Sequence, residues 1–156
     1  MNMNESWRVR HGSWQQLQRQ AAPIRQAVFV MEQGVPEALE LDDLDAVSEH
    51  WLASDEQGSA IATGRLTPDG HIGRLAVLSP WRGQGVGGLI VRDMLRHARD
   101  RGYEQVVLNA QTHALGFYQG LGFQAEGPVF DDAGLPHRRM VQRLTPAAAQ
   151  RGKSTE

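Results

Sequence analysis

The chain contains no cysteine. This absence excludes disulfide bonds, thiolate nucleophiles and cysteine-based metal sites, and it fits a cytoplasmic protein. Also missing are an apolar run of about 18 residues, enough to span a bilayer, and the apolar core of a secretory signal. A net charge of −2 gives no reason to expect nucleic acid as the main partner. We therefore expect a cytoplasmic protein that binds neither membranes nor nucleic acid.

What is present is ordinary for a globular protein. Apolar residues make up 40% and charged residues 22% of the 156 residues, which suits one domain with a sizeable core. We expect this domain to span residues 1–144. Residues 145–156 have too little apolar content to pack, and they indicate a disordered tail.

Hydrophobic periodicity predicts an α/β chain with about seven strands. Turn residues between the second, third and fourth strands predict antiparallel hairpins. Between Ile72 and Ala110 a helix links the fourth strand to the fifth, which predicts a parallel crossover in a mixed sheet with helices on both faces. The predicted strands are residues 6–13, 50–54, 59–67, 71–79, 104–110, 123–130 and 137–144.

Two longer helices are predicted from apolar stripes. Ser13 is placed to cap the first, and Pro23 predicts a kink in it or a division into two shorter helices. Gly102 is a good end for the second. The first stripe is Trp14, Leu17, Ala21, Ile24, Val28 and Met31, and the second is Val86, Ile90, Met94 and Ala98.

The stretch SPWRGQGVGG, residues 79–88, places four glycines between the fourth strand and the second of these helices. A glycine-rich turn that leads into a helix favours an anion, because the first helical N–H groups lack partners and the helix dipole adds positive charge. Gly83, Gly85 and Gly87 have no Cβ to block a phosphate, and Arg82 adds a charged donor. The alternative is a tight turn whose glycines serve only chain geometry. The spacing fits neither the dinucleotide fingerprint nor the P-loop.

Two motifs together resemble a known family. RGQGVG, residues 82–87, is similar to the R/Q-x-x-G-x-G/A motif with which GNAT N-acetyltransferases bind the pyrophosphate of coenzyme A. NAQTHALGFYQGLGF, residues 109–123, resembles the N-x-x-A-x-x-x-Y-x-x-x-G-F segment of the same family. The flanks VFVMEQGVPEALELDDLD and FDDAGLPHRRM look like its ElaA/YjcF-like branch, and the resemblance runs from Trp7 to Leu144.

The resemblance implies a binding site for acetyl-CoA along the fourth strand. In GNAT proteins the fourth and fifth strands splay apart and pantetheine lies in the gap, where the backbone of Leu75, Ala76 and Val77 would pair with its amides. An N–H near Val77 would face the thioester oxygen, on which acyl transfer builds negative charge. The pyrophosphate would bind at Arg82, Gly83, Gln84, Gly85, Val86 and Gly87.

Tyr118 matches the family tyrosine that faces the coenzyme sulfur. It would protonate the leaving thiolate, whose conjugate acid has a pKa of about 8.5; the alternative is a core tyrosine. The asparagine position of the family falls on Gln111, whose amide makes the same kinds of hydrogen bond. Asn109 lies two residues earlier on the same side of the strand, and either residue could contact the coenzyme.

The motifs do not identify the general base, because the fourth strand has no carboxylate between Ile72 and Leu78. Glu32 lies at the end of the first helical region, near where family members bind acceptors, and is our preferred catalytic candidate. Alternatives are Glu49, His50 and His113, and for each of the four a solvated or capping role competes with catalysis.

Two further features carry weaker predictions. The acidic run Glu40, Asp42, Asp43 and Asp45 is typical of a solvated loop, or alternatively of a surface that attracts a cationic acceptor. His137 stands alone, without other histidines at metal-ligand spacing, and we expect no metal.

We therefore expect an N-acetyltransferase that moves the acetyl group of acetyl-CoA to a primary amine of a small molecule or peptide, by direct attack in a ternary complex. One alternative is a non-catalytic acyl-CoA-binding sensor or interaction module with the GNAT fold. Another is a glycine loop that binds a different phosphorylated ligand, such as a nucleotide. The resemblance also makes a homodimer an open expectation, because many family members dimerise.

Overall fold

The computed structural model describes residues 7–145, which fall into two compact units. The first ends at Val91 and the second begins at Arg92. None of the helices in the described part of the chain is long and apolar enough to cross a membrane. The expected boundary at residue 144 remains a prediction, since residues 146–156 lie outside the described range.

The first unit is built on a four-stranded antiparallel sheet in the order β1-β2-β3-β4. Hairpin turns at Gly58 and Gly70, both with positive φ, join β2 to β3 and β3 to β4, which confirms the antiparallel hairpins. The elements are β1 (Arg8–Ser13), α1 (Trp14–Arg25), a π-helix (Gln26–Glu32), α2 (Glu37–Glu40), β2 (Glu49–Ser54), β3 (Ala60–Leu66) and β4 (Ile72–Val77).

The core of this unit forms where α1 packs on the sheet. Ser13 and Gln16 make a capping box that begins the helix, because each side chain bonds the other residue's backbone N–H. The predicted apolar stripe is buried except at its ends, where Trp14 is half-buried and Met31 is 75% exposed. Its buried members pack with β2 and β4, in a cluster of Leu17, Ala21, Ile24, Val28, Leu52 and Ala76.

The expected division of the first helix into two at Pro23 is not observed, since Pro23 lies inside α1. α1 continues through Arg25 and then passes into the π-helix, where Gln33 N–H bonds the Val28 carbonyl five residues back. Proline lacks a backbone donor and crowds the preceding turn, and a change to wider hydrogen bonding accommodates such a defect without ending the helix. Glu32 closes the π-helix.

α3 (Val86–Asp100) begins in the first unit and continues into the second. Its predicted stripe is confirmed, since Val86, Ile90, Met94 and Ala98 are all at most 1% exposed. Gly102 follows the helix with a φ of +84° and its N–H bonds the Arg99 carbonyl, as expected for a glycine C-cap.

The second unit contains a three-stranded antiparallel sheet in the order β5-β7-β6. Its elements are β5 (Gln105–Gln111), α4 (Leu115–Gly120), β6 (Gln124–Asp132) and β7 (Leu135–Arg143). The α/β class and the seven strands are confirmed. The expected mixed sheet was wrong: within residues 7–145 the strands form two sheets, both antiparallel, in which β4 pairs with β3 and β5 pairs with β7.

Candidate active site

β4 carries a bulge within the segment expected to bind pantetheine. Two of its residues, Arg74 and Leu75, stand opposite the single residue Gly64 of β3. Arg74 has a φ of +50°, in the left-handed region that side chains rarely adopt. A bulge bends the strand and re-aims the residues beyond it, here Ala76 and Val77.

β4 is also the last strand of its sheet. One edge of its backbone pairs with β3, and the N–H and C=O groups of a sheet edge can pair with an extended ligand. Ala76 is buried in the core cluster, whereas Leu75 and Val77 are half-buried. Ala76 therefore anchors this part of the strand to the core of the first unit.

The glycine loop leads from β4 into α3 and has the geometry of an anion site. After a short 3-10 turn at Ser79–Trp81, Gly83 and Gly85 have φ values of +76° and +95°, which favour glycine. A Cβ added at Gly83 would meet no atom within 4 Å, so this side of the loop is open to a ligand. α3 then begins at Val86, with no acidic residue in its first turn to compete with an anion.

Arg82 and Glu32 form an ion pair beside this loop. Arg82 Nη2 donates to Glu32 Oε1 at 2.7 Å, and Arg82 Nε donates to the Val77 carbonyl at 2.9 Å. The hydrogen bond from Arg82 is the main cause that holds the pKa of Glu32 below its usual value of 4.5. Glu32 is therefore a weak proton acceptor while the pair is intact, and the Arg82 side chain is engaged by protein atoms.

The other candidate bases have structural partners. His50 is 1% exposed, lies against the Trp14 ring and has Nε2 at 2.9 Å from the Asp45 carbonyl. Burial lowers the pKa of His50, so the ring stays neutral at physiological pH. Glu49 Oε2 lies 3.4 Å from His11 Nδ1. His113 Nε2 is hydrogen-bonded to Gln111 Oε1 at 2.7 Å.

The acidic run is not a solvated loop, and this expectation was wrong for two of its four residues. Glu40 and Asp45 are 4% and 3% exposed, and both bind the equally buried Arg25. Asp45 Oδ1 also accepts a hydrogen bond from Arg65 Nη1 at 3.0 Å. Buried carboxylates with these partners do not serve as a docking surface for a cationic acceptor.

The same cluster reaches the bulge of β4. Asp42 accepts from Arg65 at 2.7 Å and from Arg74 at 3.2 Å. Three carboxylates thus face three arginines, which come from α1, β3 and β4. Sequence reasoning missed this because no local pattern pairs charges that stand fifteen or more residues apart.

Tyr118 lies on α4 in the second unit. Its ring makes edge-to-face contacts with Phe117 and Phe123, at centroid distances of 4.8 and 5.8 Å. Burial raises the pKa of Tyr118 to about 12. The phenol is therefore fully protonated at physiological pH, and the raised pKa makes it a weaker acid than an ordinary tyrosine.

Asn109 and Gln111 lie on one face of β5, as expected for residues two apart. Asn109 is exposed, and Gln111 is half-buried with its amide oxygen against His113. β5 is an edge strand of its sheet. His137 is held by the Leu135 carbonyl at 2.8 Å, as expected for a structural histidine.

The family model for the acetyltransferase (GNAT) domain matches residues 14–144. The chain belongs to the GNAT acetyltransferase family. This GNAT domain is 38% identical over 122 residues to the uncharacterized N-acetyltransferase YjcF of Bacillus subtilis strain 168, which covers 76% of this chain and 87% of YjcF.

Solved structures support the same assignment. An acyl-CoA N-acyltransferase from Pseudomonas aeruginosa is 31% identical with a TM-score of 0.74, covering 87% of this chain and 97% of its own. ElaA of Escherichia coli is 26% identical with a TM-score of 0.79, covering 87% and 99%. A GNAT acetyltransferase from Elizabethkingia anophelis, solved with acetyl-CoA bound, shares the fold at 17% identity and a TM-score of 0.66, covering 90% and 99%.

These findings confirm the resemblance to the ElaA/YjcF-like branch and make the protein an enzyme of the acyl-CoA N-acyltransferase type. In the first unit the structure brings together the β4 backbone, the glycine loop and Glu32. In the second it places Asn109 and Gln111 on β5 and Tyr118 on the following helix. The individual roles of these residues remain predictions.

Proposed function

We propose that this GNAT domain transfers the acetyl group of acetyl-CoA directly to a primary amine. The observation that carries the proposal is the continuous segment of residues 72–91, in which a bulged edge strand leads through an open glycine loop into a helix N-terminus. This order matches the parts of acetyl-CoA, an extended amide-bearing arm followed by a pyrophosphate. The strand edge suits the arm, and the helix N-terminus suits the anion.

The coenzyme would be bound mainly by backbone groups. The pyrophosphate would take the N–H groups of the loop from Gly83 to Gly87, which include Gln84 and Val86. The pantetheine amides would pair with the β4 edge at Leu75, Ala76 and Val77. Asn109 and Gln111 are the proposed side-chain contacts, since each offers an amide donor and acceptor.

In the reaction, the amine nitrogen would attack the thioester carbon. A C–N bond forms, the C–S bond breaks, and the carbonyl oxygen carries negative charge in between. A backbone N–H near Val77 would stabilise that charge. The departing sulfur takes a proton from Tyr118, and solvent restores the proton to the phenol.

Glu32 is the proposed acceptor of the proton that the amine loses, directly or through water. Its pairing with Arg82 makes it a weak base in the free protein. A coenzyme phosphate beside Arg82 would compete for the guanidinium, and release of Glu32 would let its pKa return toward the usual value. Arg82 would thus couple coenzyme binding to activation of the base.

The test is a thiol-release assay with acetyl-CoA across a polyamine, an amino sugar, amino acids and a peptide with a free N-terminus. We expect acetylated amine and free CoA in equal amounts. In the absence of acceptor, mass spectrometry should find no acetylated protein, because transfer is direct.

Coenzyme binding without turnover on any amine would favour a non-catalytic acyl-CoA-binding role. Calorimetry in parallel distinguishes the remaining alternative. Binding of ATP but not of CoA or acetyl-CoA would contradict the proposal and indicate that the glycine loop serves another phosphorylated ligand.

A further inference from the structure

Arg74, a bulge residue of β4, makes side-chain contacts with a segment that lies outside the strand. Arg74 is not a glycine, yet its φ is +50°. A residue with a Cβ is disfavoured in this conformation relative to the right-handed form. Such a conformation persists where the surroundings determine it.

The surroundings of Arg74 are the segment of residues 39–42. Its Nε donates to the Glu40 carbonyl at 3.1 Å, and its Nη2 donates to the Leu39 carbonyl at 3.3 Å and to Asp42 Oδ2 at 3.2 Å. One guanidinium therefore binds two backbone carbonyls and one carboxylate. These three contacts fix the direction of the Arg74 side chain.

The segment itself is anchored in the interior. Arg25 donates to both the carboxylate and the carbonyl of Glu40, and it is 1% exposed. Asp42 is held independently by Arg65 of β3 at 2.7 Å. Because its partners are held by α1 and β3, Arg74 is tied to a rigid framework rather than to a loose loop.

We infer that Arg74 is a positioning residue: with Asp42 and the Glu40 carbonyl it sets the β4 bulge and thereby aims the backbone N–H groups that receive the thioester oxygen. The inference rests on the proposed acyl transfer. It adds that residues 39–42, which need not touch the coenzyme, control the geometry of the reacting group. Loss of these contacts should affect the transition state more than coenzyme binding, which draws most of its contacts from the loop.

Arg74→Gly is the informative variant, because glycine adopts the backbone conformation freely while the three hydrogen bonds are lost. We expect kcat to fall by about tenfold or more, since small misplacements of catalytic groups are costly, with less than about a threefold change in the Kd for CoA. Asp42→Asn should give a smaller change in the same direction. Arg74→Lys should not restore kcat, because an ammonium cannot form the same planar fork.

Ala133→Gly is the matched control. Ala133 also has a positive φ, +54°, but it lies in the turn between β6 and β7. Its replacement should leave kcat unchanged. A normal kcat in Arg74→Gly measured well below its Tm, with the Ala76 and Val77 amides unshifted in NMR spectra, would overturn the inference.

The NMR measurement separates this inference from the proposed function, because it needs no substrate. The Ala76 and Val77 amide signals should move in Arg74→Gly and Asp42→Asn but not in Ala133→Gly. If they move and the wild-type protein acetylates no amine, the positioning of β4 stands and the proposed activity fails. If the wild-type protein is active and the signals stay in place, the positioning role fails alone.

Discussion

Tyr118 is a phenol whose pKa is raised to about 12 by burial. A thiolate leaving group has a conjugate acid of pKa about 8.5, so transfer of a proton from tyrosine is uphill in solution. As the C–S bond breaks, negative charge builds on sulfur, and a hydrogen bond from the phenol to sulfur becomes stronger. This interaction lowers the barrier because it is stronger in the transition state than in the bound substrate. The phenol therefore acts on the departing thiolate first as a hydrogen-bond donor, because the raised pKa opposes complete transfer of its proton.

Tyr118→Phe should lower kcat by roughly ten- to a hundredfold, because it removes only the proton donor. The dissociation constant for acetyl-CoA, measured by calorimetry, should change little. Tyr103→Phe is the matched control, since Tyr103 is the other tyrosine of the chain. Equal kcat in the wild type and Tyr118→Phe, with chemistry rate-limiting, would remove the tyrosine from the mechanism.

At the scale of elements, the junction between β4 and α3 combines a strand edge, an open turn and a helix start. Gly85 adopts a φ of +95° immediately before the helix. A side chain there would be strained, because this φ favours glycine, and it would stand next to the first helical N–H groups. A carboxylate would add repulsion toward phosphate.

Gly85→Asp should therefore weaken binding of CoA by at least about tenfold, an effect of 1.4 kcal/mol or more. Gly134→Asp supplies the control, because Gly134 has a φ of +81° in the β6–β7 turn and carries the same conformational strain. Calorimetry with CoA measures both. An unaltered affinity in Gly85→Asp would place the pyrophosphate elsewhere.

At the scale of the whole molecule, stability depends on a buried ionic cluster as well as on the apolar core. Burial alone raises the pKa of Asp45, but hydrogen bonds and charge from Arg25, and then from Arg65, outweigh it and hold this pKa below the ordinary 3.8. Because the pKa of Asp45 is lower in the folded than in the unfolded state, its ionised form stabilises the fold at every pH above the unfolded-state pKa. This contribution is lost as the pH falls below 3.8 and through the folded-state pKa.

Asp45→Asn should lower the free energy of unfolding at pH 7 by about 1.5–3 kcal/mol, since it removes one of the two carboxylates that bind each of the buried arginines Arg25 and Arg65. The difference from the wild type should shrink as the pH falls below 3.8, where Asp45 itself becomes protonated. Urea unfolding of the wild type and Asp45→Asn, at pH 7 and at a pH below 3.8, measures this difference in stability.

Asp43→Asn serves as the control for that experiment, because Asp43 is an exposed member of the same acidic run. It should change stability by less than about 0.5 kcal/mol at either pH. Similar losses of stability in Asp45→Asn and Asp43→Asn at neutral pH would show that the buried contacts of Asp45 contribute little.

Much of the fold followed from short-range patterns. The stripe from Leu17 to Val28, the turn glycines and the glycine stop at Gly102 are each determined within a few residues, and the structure confirms them. The family could be predicted from two motifs, residues 82–87 and 109–123, because their order and spacing are features of the sequence itself. The π-helix after Pro23 did not follow, because the sequence shows where a helix is disturbed but not how its hydrogen bonds adjust.

The sequence alone thus determined the order of elements, the family and the chemistry expected of the glycine loop and Tyr118. Only the tertiary structure decided the environment of the charges. Glu40 and Asp45 have the residue types of a surface loop, yet they are buried because Arg25 and Arg65 reach them from α1 and β3. The conformation of Arg74 was decided in the same way, since a positive φ in a strand depends on partners that the neighbouring sequence does not reveal.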